Sequence, residues 1–284
     1  MLHPRLAANL VAFTLAPEGL FGRGIGTDPR RDLDFVLDAG FAKFGVSDVY
    51  LDDNGWDEVV QVVSASQAEL AYLIRPNMFT LDDPSLWAAE ETRLRRTVDA
   101  TAAMGAGLVY GTTGHAGRLG FEEALAAFGT AVAGSVEYAA SRGIELLVET
   151  TSQLRQDINF VYNLRDLLTL VEATRVGACA DVVHCWREPA LEPTIRALTP
   201  YTRLVQLSDW APGVMSTPHR LVPGDGTVPL RRIIETFEGT GYAGVYDIEL
   251  CGPAIDREGL DAFRRAGEYA TTMLRDIEES RRPE

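Results

Sequence analysis

Residues 144–184 read IELLVETTSQLRQDINFVYNLRDLLTLVEATRVGACADVVH, and this stretch decides the fold. It opens with a nearly continuous apolar run at 144–150 and closes with another at 176–184. Between them, residues 159–174 have the spacing of an amphipathic helix. Short apolar runs of this kind are typical of parallel strands whose outer face is covered by helices. The stretch therefore predicts a strand–helix–strand unit.

The same alternation runs through the whole chain. Strands are predicted at residues 6–14, 43–51, 68–75, 108–113, 144–150, 176–184, 203–210 and 245–252. Helices are predicted at residues 30–39, 57–66, 85–104, 121–142, 159–174, 192–198, 230–241 and 257–279. Eight such units close most economically into a barrel, because a closed parallel sheet leaves no exposed edge.

An open doubly wound sheet is the alternative to a barrel, and it usually carries a nucleotide-binding glycine loop after its first strand. Residues 21–26, FGRGIG, have alternating glycines but not the spacing that binds phosphate, and the sequence has no Walker motif. We therefore expect an α/β protein with a single (β/α)8 TIM-barrel domain over residues 1–284. Its C-terminal tail, from about residue 277 to residue 284, is expected to be frayed.

The composition is that of a globular protein, with 46% hydrophobic and 24% charged residues. The 26 Lys and Arg against 41 Asp and Glu give a formal net charge of −15, which repels nucleic acids and anionic lipids. We expect neither as a partner. The three cysteines form no CxxC motif, and neither a cationic leader nor a long apolar run occurs. These features predict a cytoplasmic protein.

The last four predicted strands end in polar side chains, which are Glu149, Asp181, Gln206 and Glu249. The carboxyl ends of TIM-barrel strands form the face where active sites lie. Three carboxylates that converge there repel one another unless a cation lies among them. Oxygen ligands favour Mg²⁺ or Mn²⁺. Solvated charges at the strand ends are the alternative, but four polar ends in register favour a site for one divalent cation.

The segments LLVET, ACADVVH, RLVQLSDW, HRLVPGDG and YDIEL together resemble the xylose-isomerase-like TIM-barrel superfamily, in particular its sugar phosphate isomerase/epimerase family. The resemblance is strongest over residues 144–252. It implies that Glu149, Asp181 and Glu249 ligate one Mn²⁺ or Mg²⁺, and that Glu149 and Glu249 are also the catalytic acid/base pair. It further implies that His184 and Arg220 contact the substrate.

Gln206 departs from the family pattern, because these relatives usually carry a histidine ligand at its position. An amide oxygen still coordinates a hard cation, although it donates less strongly than imidazole. Two possibilities therefore stay open. Either Gln206 completes a weaker metal site, or the chain has lost part of the site and binds sugars or a protein partner without turnover.

A metal ion and two carboxylates allow a proton to be removed next to a carbonyl group, through an enediolate. Returning the proton gives isomerisation or epimerisation of a small sugar or cyclitol. If the β-hydroxyl is lost instead, the reaction is a dehydration or elimination, and the protein is a dehydratase or lyase acting on a keto-cyclitol or keto-glycoside. Trp186 and Trp210 are candidates for stacking on a sugar ring, although aromatic residues more often belong to the core or rim. The resemblance also implies a homodimer or homotetramer.

Overall fold

The structure, a computed structural model, describes residues 1–11, 26–214 and 219–282. In these residues eight parallel strands pair in chain order and close into a barrel, since β8 pairs with β1. The strands are β1 (Leu6–Asn9), β2 (Lys43–Ser47), β3 (Glu69–Arg75), β4 (Leu108–Gly111), β5 (Glu145–Glu149), β6 (Gly177–Asp181), β7 (Thr202–Leu207) and β8 (Val245–Glu249). The predicted TIM barrel is confirmed.

Helices follow each strand and pack their apolar faces on the outside of the barrel. Within the described residues they are α1 (Pro29–Asp38), α2 (Asp48–Asn54), α3 (Trp56–Ser64), α4 (Trp87–Ala103), α5 (Phe121–Ser141), α6 (Leu164–Thr174), α7 (Val182–Cys185), α8 (Leu191–Leu198), α9 (Leu230–Gly239), α10 (Pro253–Glu258) and α11 (Leu260–Ser280). A 3₁₀ turn, Thr199–Tyr201, precedes β7. None of the described helices is long and apolar enough to cross a membrane.

The predicted strands 43–51 and 176–184 extend too far, because their last residues belong to short helices. Ser47 ends β2 and caps α2, since its Oγ accepts the backbone N–H of Val49 at 3.1 Å. Asp181 ends β6 and caps α7, since its Oδ1 accepts the backbone N–H of Val183 at 2.9 Å. In both places a side-chain cap turns a β-branched apolar run into a short helix. The predicted strand 6–14 ends at Asn9, and its residues 12–14 lie outside the described residues.

The C-terminal tail is ordered further than the sequence suggested. Helix α11 continues to Ser280, Ile277 is buried, and His3 Nε2 lies 3.0 Å from the Glu278 carboxylate. The expectation of a frayed tail from residue 277 is therefore wrong as far as Ser280, because the helix packs against the N-terminal segment. Residues 283–284 lie outside the described residues.

Large side chains fill the interior of the barrel. Its apolar part is made by seven inward-facing residues, Ala7, Tyr72, Ile74, Tyr110, Leu147, Cys179 and Leu204. The rings of Tyr72 and Tyr110 meet edge to face, with centroids 5.0 Å apart. A Cβ at Gly45 would overlap the Tyr72 ring. The tyrosine therefore packs against β2 only because β2 has a glycine at this position. Polar residues share this interior toward the carboxyl face.

Candidate active site

The four polar residues predicted at strand ends do lie toward one face of the barrel. Glu149, Asp181 and Glu249 are the last residues of β5, β6 and β8, and Gln206 is the last but one of β7. Gln206 is paired in register with Asp181 on β6. Because all the strands are parallel, their carboxyl ends present these side chains to a common region.

The cation among these acids is the guanidinium of Arg220. Its Nη1 donates to Asp181 Oδ1 at 3.2 Å and its Nη2 to Asp181 Oδ2 at 2.5 Å. Nη2 also lies 3.1 Å from Glu249 Oε2. All three residues are more than nine-tenths buried, and Arg220 is only 7% exposed. The sequence predicted a divalent cation as the counter-charge here, whereas the structure shows that Arg220 already pairs with two of the three acids.

The segment that carries Arg220 is fixed by backbone bonds and by Asp209. Asp209 and Leu221 exchange both backbone hydrogen bonds, each at 2.9 Å. The Asp209 carboxylate accepts the backbone N–H groups of Gly224 and Val228, both at 2.9 Å. A Cβ at Gly226 would overlap the same carboxylate, so this loop needs glycine where it passes Asp209. The loop therefore holds Arg220 in a defined position.

His184 contacts this ion cluster as a neutral side chain. Its Nε2 lies 3.2 Å from Arg220 Nη2 and 3.3 Å from Asp181 Oδ2. Burial lowers the pKa of His184 to about 4, even though Asp181 acts in the opposite direction. Since a guanidinium can only donate, Nε2 accepts from Arg220, which assigns the proton of the neutral ring to Nδ1.

Burial and charge separate the three carboxyl groups. Burial favours a raised pKa for Asp181, but the charge and hydrogen bonds of Arg220 outweigh it and hold that pKa below its ordinary value. Burial raises the pKa of Glu249 to about 7, although Arg220 opposes the shift. Burial, followed by the charges of Glu249 and Asp181, raises the pKa of Glu149 well above its ordinary value. The single guanidinium of Arg220 does not neutralise the three acids, of which Asp181 and Glu249 are buried and Glu149 is partly buried.

A cavity of about 280 Å³ lies over these groups, and its wall includes Glu149, Glu249, His184, Arg220 and Tyr110. A second cavity of about 470 Å³ shares His184 and Arg220 with the first and is bounded by Trp186 and Trp210. The two indole rings are 6.4 Å apart between centroids. Both tryptophans therefore lie beside the site, as the sequence allowed.

Below the carboxylates lies an inner polar cluster made of Asn9, Tyr72, Tyr110, Gln206 and Asp247. All five side chains are at most 1% exposed. The Tyr72 hydroxyl donates to Asp247 Oδ1, and Asn9 Nδ2 donates to Asp247 Oδ2 at 2.8 Å. Asn9 Nδ2 and Gln206 Nε2 both donate to the Tyr110 hydroxyl oxygen, at 2.9 Å and 3.2 Å. Gln206 Oε1 has no hydrogen-bond partner among the described residues.

Sequence reasoning found Gln206 but not the other four members of this cluster. Asp247 is two residues before Glu249 on β8, and side chains two apart on a strand point to the same face. That spacing was enough to place Asp247 inside the barrel. Tyr72 and Tyr110 gave no comparable signal, because an aromatic residue within an apolar run is normally part of the core.

The structure thus brings Asp181 and Glu249 together through Arg220 and places Glu149 within electrostatic range of both. Over residues 1–11, 26–214 and 219–282, no three or more His, Cys, Asp or Glu side chains form a group arranged to hold a metal ion. A metal site here would therefore need the amide oxygen of Gln206 as well as the acids. The roles assigned to the individual site residues stay predictions.

The sequence matches the family model described as xylose isomerase-like TIM barrel over residues 33–266. This chain belongs to that family. No curated protein matches the chain in sequence. The family assignment confirms the resemblance carried by the segments from LLVET to YDIEL, and it agrees with the closed barrel.

Solved structures with the same fold include enzymes and metal-bound proteins. The IolI protein with a bound zinc atom superposes with a TM-score of 0.79 at 15% identity, covering 96% of this chain and 99% of that one. L-ribulose 3-epimerase gives 0.76 at 15% identity, covering 96% of each. A xylose isomerase-like barrel from Mycobacterium smegmatis in complex with magnesium gives 0.72 at 17% identity, covering 96% of this chain and 97% of that one. At these identities the likeness establishes the shared fold.

Proposed function

We propose that this barrel is a divalent-metal-dependent isomerase or epimerase of a small polyhydroxy carbonyl compound, a free sugar or a cyclitol. The observation that carries the proposal is a pair of carboxyl groups, the partly buried Glu149 and the buried Glu249, on the wall of one cavity and both with raised pKa values. A pKa of about 7, as for Glu249, suits a group that both takes and returns protons near neutral pH.

The donor atoms of the candidate ligands suit a hard divalent cation, Mn²⁺ or Mg²⁺, because all of them are oxygens. Gln206 Oε1 is a buried acceptor without a donor among the described residues, and a bound ion is one explanation for such an atom. The charge balance agrees, because Arg220 alone does not neutralise Glu149, Asp181 and Glu249. These three acids and Gln206 are the residues that would hold the ion. When bound, it would stabilise negative charge on the substrate oxygens as a Lewis acid.

The side chains of this protein perform the proton transfer in the proposed reaction. One of the two glutamates, Glu149 or Glu249, removes the proton next to the carbonyl, and the other or the same group returns it. Arg220 and His184 bind substrate oxygens from the cavity wall that they share with the glutamates. Closure of the barrel below the site keeps bulk water away from the enediolate, because the interior is filled by packed side chains.

Solvent deuterium exchange tests the proposal directly. The protein is incubated in D₂O with Mn²⁺ and a panel of free ketoses and keto-cyclitols, and carbon-bound deuterium is measured by NMR. For a substrate of the panel, Glu149→Gln is expected to lower the exchange rate by about 10²–10⁴-fold, the usual contribution of general acid–base catalysis. Glu145→Gln is the matched control on the same strand, since Glu145 is the first residue of β5, at the opposite end from the site, and pairs with Arg203 at 2.9 Å.

Each result has a distinct meaning. Exchange with a change of sugar supports the isomerase or epimerase. Exchange followed by a new ultraviolet-absorbing enone identifies the dehydratase or lyase alternative. Absence of exchange over the whole panel, with a folded protein that still binds these compounds, replaces the proposal with a sugar-binding barrel. Equal exchange by the Glu149→Gln variant and the wild type would refute the role of Glu149.

A further inference from the structure

The orientation of the Asn9 amide in the inner polar cluster is fixed by its partners. Asn9 Oδ1 accepts the backbone N–H of Val11 at 2.9 Å, so Nδ2 faces the other way. The two hydrogens of Nδ2 go to Asp247 Oδ2 and to the Tyr110 hydroxyl oxygen. The Tyr110 hydroxyl oxygen is therefore an acceptor toward Asn9, and its second lone pair can accept from another donor inside the barrel.

The Gln206 amide is oriented by the same two acceptors. Its Nε2 donates to the Tyr110 hydroxyl oxygen at 3.2 Å, and a hydrogen bond from Gln206 also acts on the carboxyl group of Asp247, its register partner on β8. Turning the amide over would place Oε1 against the carboxyl group of Asp247, whose two oxygens already accept from Tyr72 and Asn9. The nitrogen therefore stays on the side of Tyr110 and Asp247.

This orientation leaves the amide oxygen for another ligand. Gln206 is fully buried, and its Oε1 has no donor among the described residues. The other register neighbour of Gln206 is Asp181, one of the carboxylates of the site. An amide carbonyl held without a donor beside a carboxylate suits a hard cation, and the groups that orient such a ligand commonly control the affinity of the metal.

We infer that Tyr110, with Asp247, is a positioning residue that holds the Gln206 amide nitrogen and so presents Oε1 to the divalent cation. This inference rests on the proposed function, since it concerns the same cation. Tyr110 acts through Gln206, and its hydroxyl replaces the fixed hydrogen bond that orients a histidine ligand in other metal sites. The network explains how a flexible glutamine serves where relatives usually carry a more rigid imidazole.

Mn²⁺ binding tests the inference without any substrate. The dissociation constant of Mn²⁺ alone is measured by isothermal titration calorimetry and by the EPR signal of free Mn²⁺. Tyr110→Phe removes one oxygen and leaves the ring in place, and it is expected to weaken Mn²⁺ binding by about 10–100-fold, as loss of an orienting partner does elsewhere. A purely structural role of the hydroxyl would leave the dissociation constant unchanged.

Tyr246→Phe is the matched control. The Tyr246 hydroxyl is also buried and also bonds a carboxylate, Glu238 Oε1 at 2.6 Å, but it has no part in the inner polar cluster. Its loss is expected to leave Mn²⁺ affinity at the wild-type value. If Tyr110→Phe does not fold, Asp247→Asn tests the same orientation from the second acceptor, with the same expected loss of affinity.

A double-mutant cycle with Gln206→Leu separates positioning from other effects. Gln206→Leu removes the ligand and is expected to weaken Mn²⁺ binding at least as much as Tyr110→Phe. Because Tyr110 acts through Gln206, the double variant should bind no more weakly than Gln206→Leu alone. Additive losses would overturn the inference, and so would wild-type affinity in folded Tyr110→Phe, while the proposed function would stand. A wild-type protein that does not bind Mn²⁺ at millimolar concentration overturns both the inference and the metal dependence.

Discussion

Two polar layers lie in one barrel, and they differ in how well their charges are matched. The carboxylate layer, made of Glu149, Asp181, Glu249 and Arg220, borders the cavity and has three acids for one guanidinium. The inner polar cluster below it has a single carboxyl group, Asp247, which receives donors on both oxygens. Apart from the partly buried Glu149, the members of both layers are buried, so the main difference between the layers is their composition.

The difference in charge matching indicates different roles for the two layers. An unmatched set of buried charges is costly, and it persists in a fold when a ligand or a reaction uses it. A buried network whose members are satisfied is rigid and holds its neighbours in place. The proposed reaction accordingly belongs to the carboxylate layer. The inner polar cluster holds the side chains beneath the carboxylate layer in place. Gln206 connects the two layers, because its Nε2 donates to Tyr110 in the inner polar cluster and its Oε1 has no hydrogen-bond partner among the described residues.

The strongest way to break the comparison is to remove the cation of the carboxylate layer. Arg220→Met leaves Asp181 and Glu249 buried without a partner. Loss of one member of a buried ion pair costs about 3–5 kcal/mol, so we expect a decrease of that size in the free energy of unfolding, measured in urea without added metal. Exchange activity should be lost as well, because the remaining carboxyl groups then favour their protonated forms.

An exposed arginine with similar partners is the control for this substitution. Arg265 binds Asp225 and Glu258, both at 2.5 Å, but its side chain is 45% exposed. Arg265→Met should cost less than about 1 kcal/mol, since water screens surface ion pairs. Adding Asp181→Asn to Arg220→Met should restore part of the lost stability by removing one uncompensated charge. Equal losses for the two arginine variants would show that the carboxylate layer is not short of cations.

The sequence predicted the carboxylate layer better than the inner polar cluster, for a physical reason. Glu149, Asp181 and Glu249 each end an apolar run, and a polar residue at that point of a barrel strand has few structural reasons to be there. The barrel followed from the same runs and their alternation with helices. Tyr110, by contrast, lies in an apolar run on β4, and only the closing of the barrel brings it to Gln206 on β7, three strands further along the chain.

Counter-charges inside a closed barrel are equally hard to predict from the chain. Arg220 lies in a loop well separated from Asp181 in sequence, and its pairing depends on how Asp209 folds that loop. From the sequence we predicted a metal ion as the counter-charge of the carboxylates. The sequence does not show which positive group lies nearest to them, because that depends on the tertiary structure. The strand ends at Ser47 and Asp181 were missed since a side-chain cap overrides the β-branched residues that follow.

The inner polar cluster can be tested by removing one donor from it. Tyr72→Phe leaves Asp247 Oδ1 without the hydroxyl that it accepts from, and an unsatisfied buried acceptor costs about 1–3 kcal/mol. We expect a decrease of that size in the free energy of unfolding. Tyr138→Phe is the comparison, because the Tyr138 hydroxyl bonds Asp99 at 2.7 Å in a half-exposed position where water replaces it. Similar, small losses for both would mean that the cluster is not tightly matched.

The sharpest test of the comparison is a pH dependence that belongs to Asp247. Burial raises its pKa to about 8, although hydrogen bonds from Tyr72, Asn9 and Gln206 oppose the shift. Between its ordinary value of 3.8 and about 8, the folded protein keeps a proton that the unfolded chain has released. This group therefore makes the protein less stable as the pH rises across that window, by at most about 1.4 kcal/mol per pH unit.

Asp247→Asn cannot titrate, so the free energy of unfolding of the wild type should fall relative to that of the variant between pH 5 and pH 7, in buffer with EDTA. Parallel curves would mean that the three donors already keep Asp247 ionised at pH 5, and that the inner polar cluster carries a full buried charge, as the carboxylate layer does.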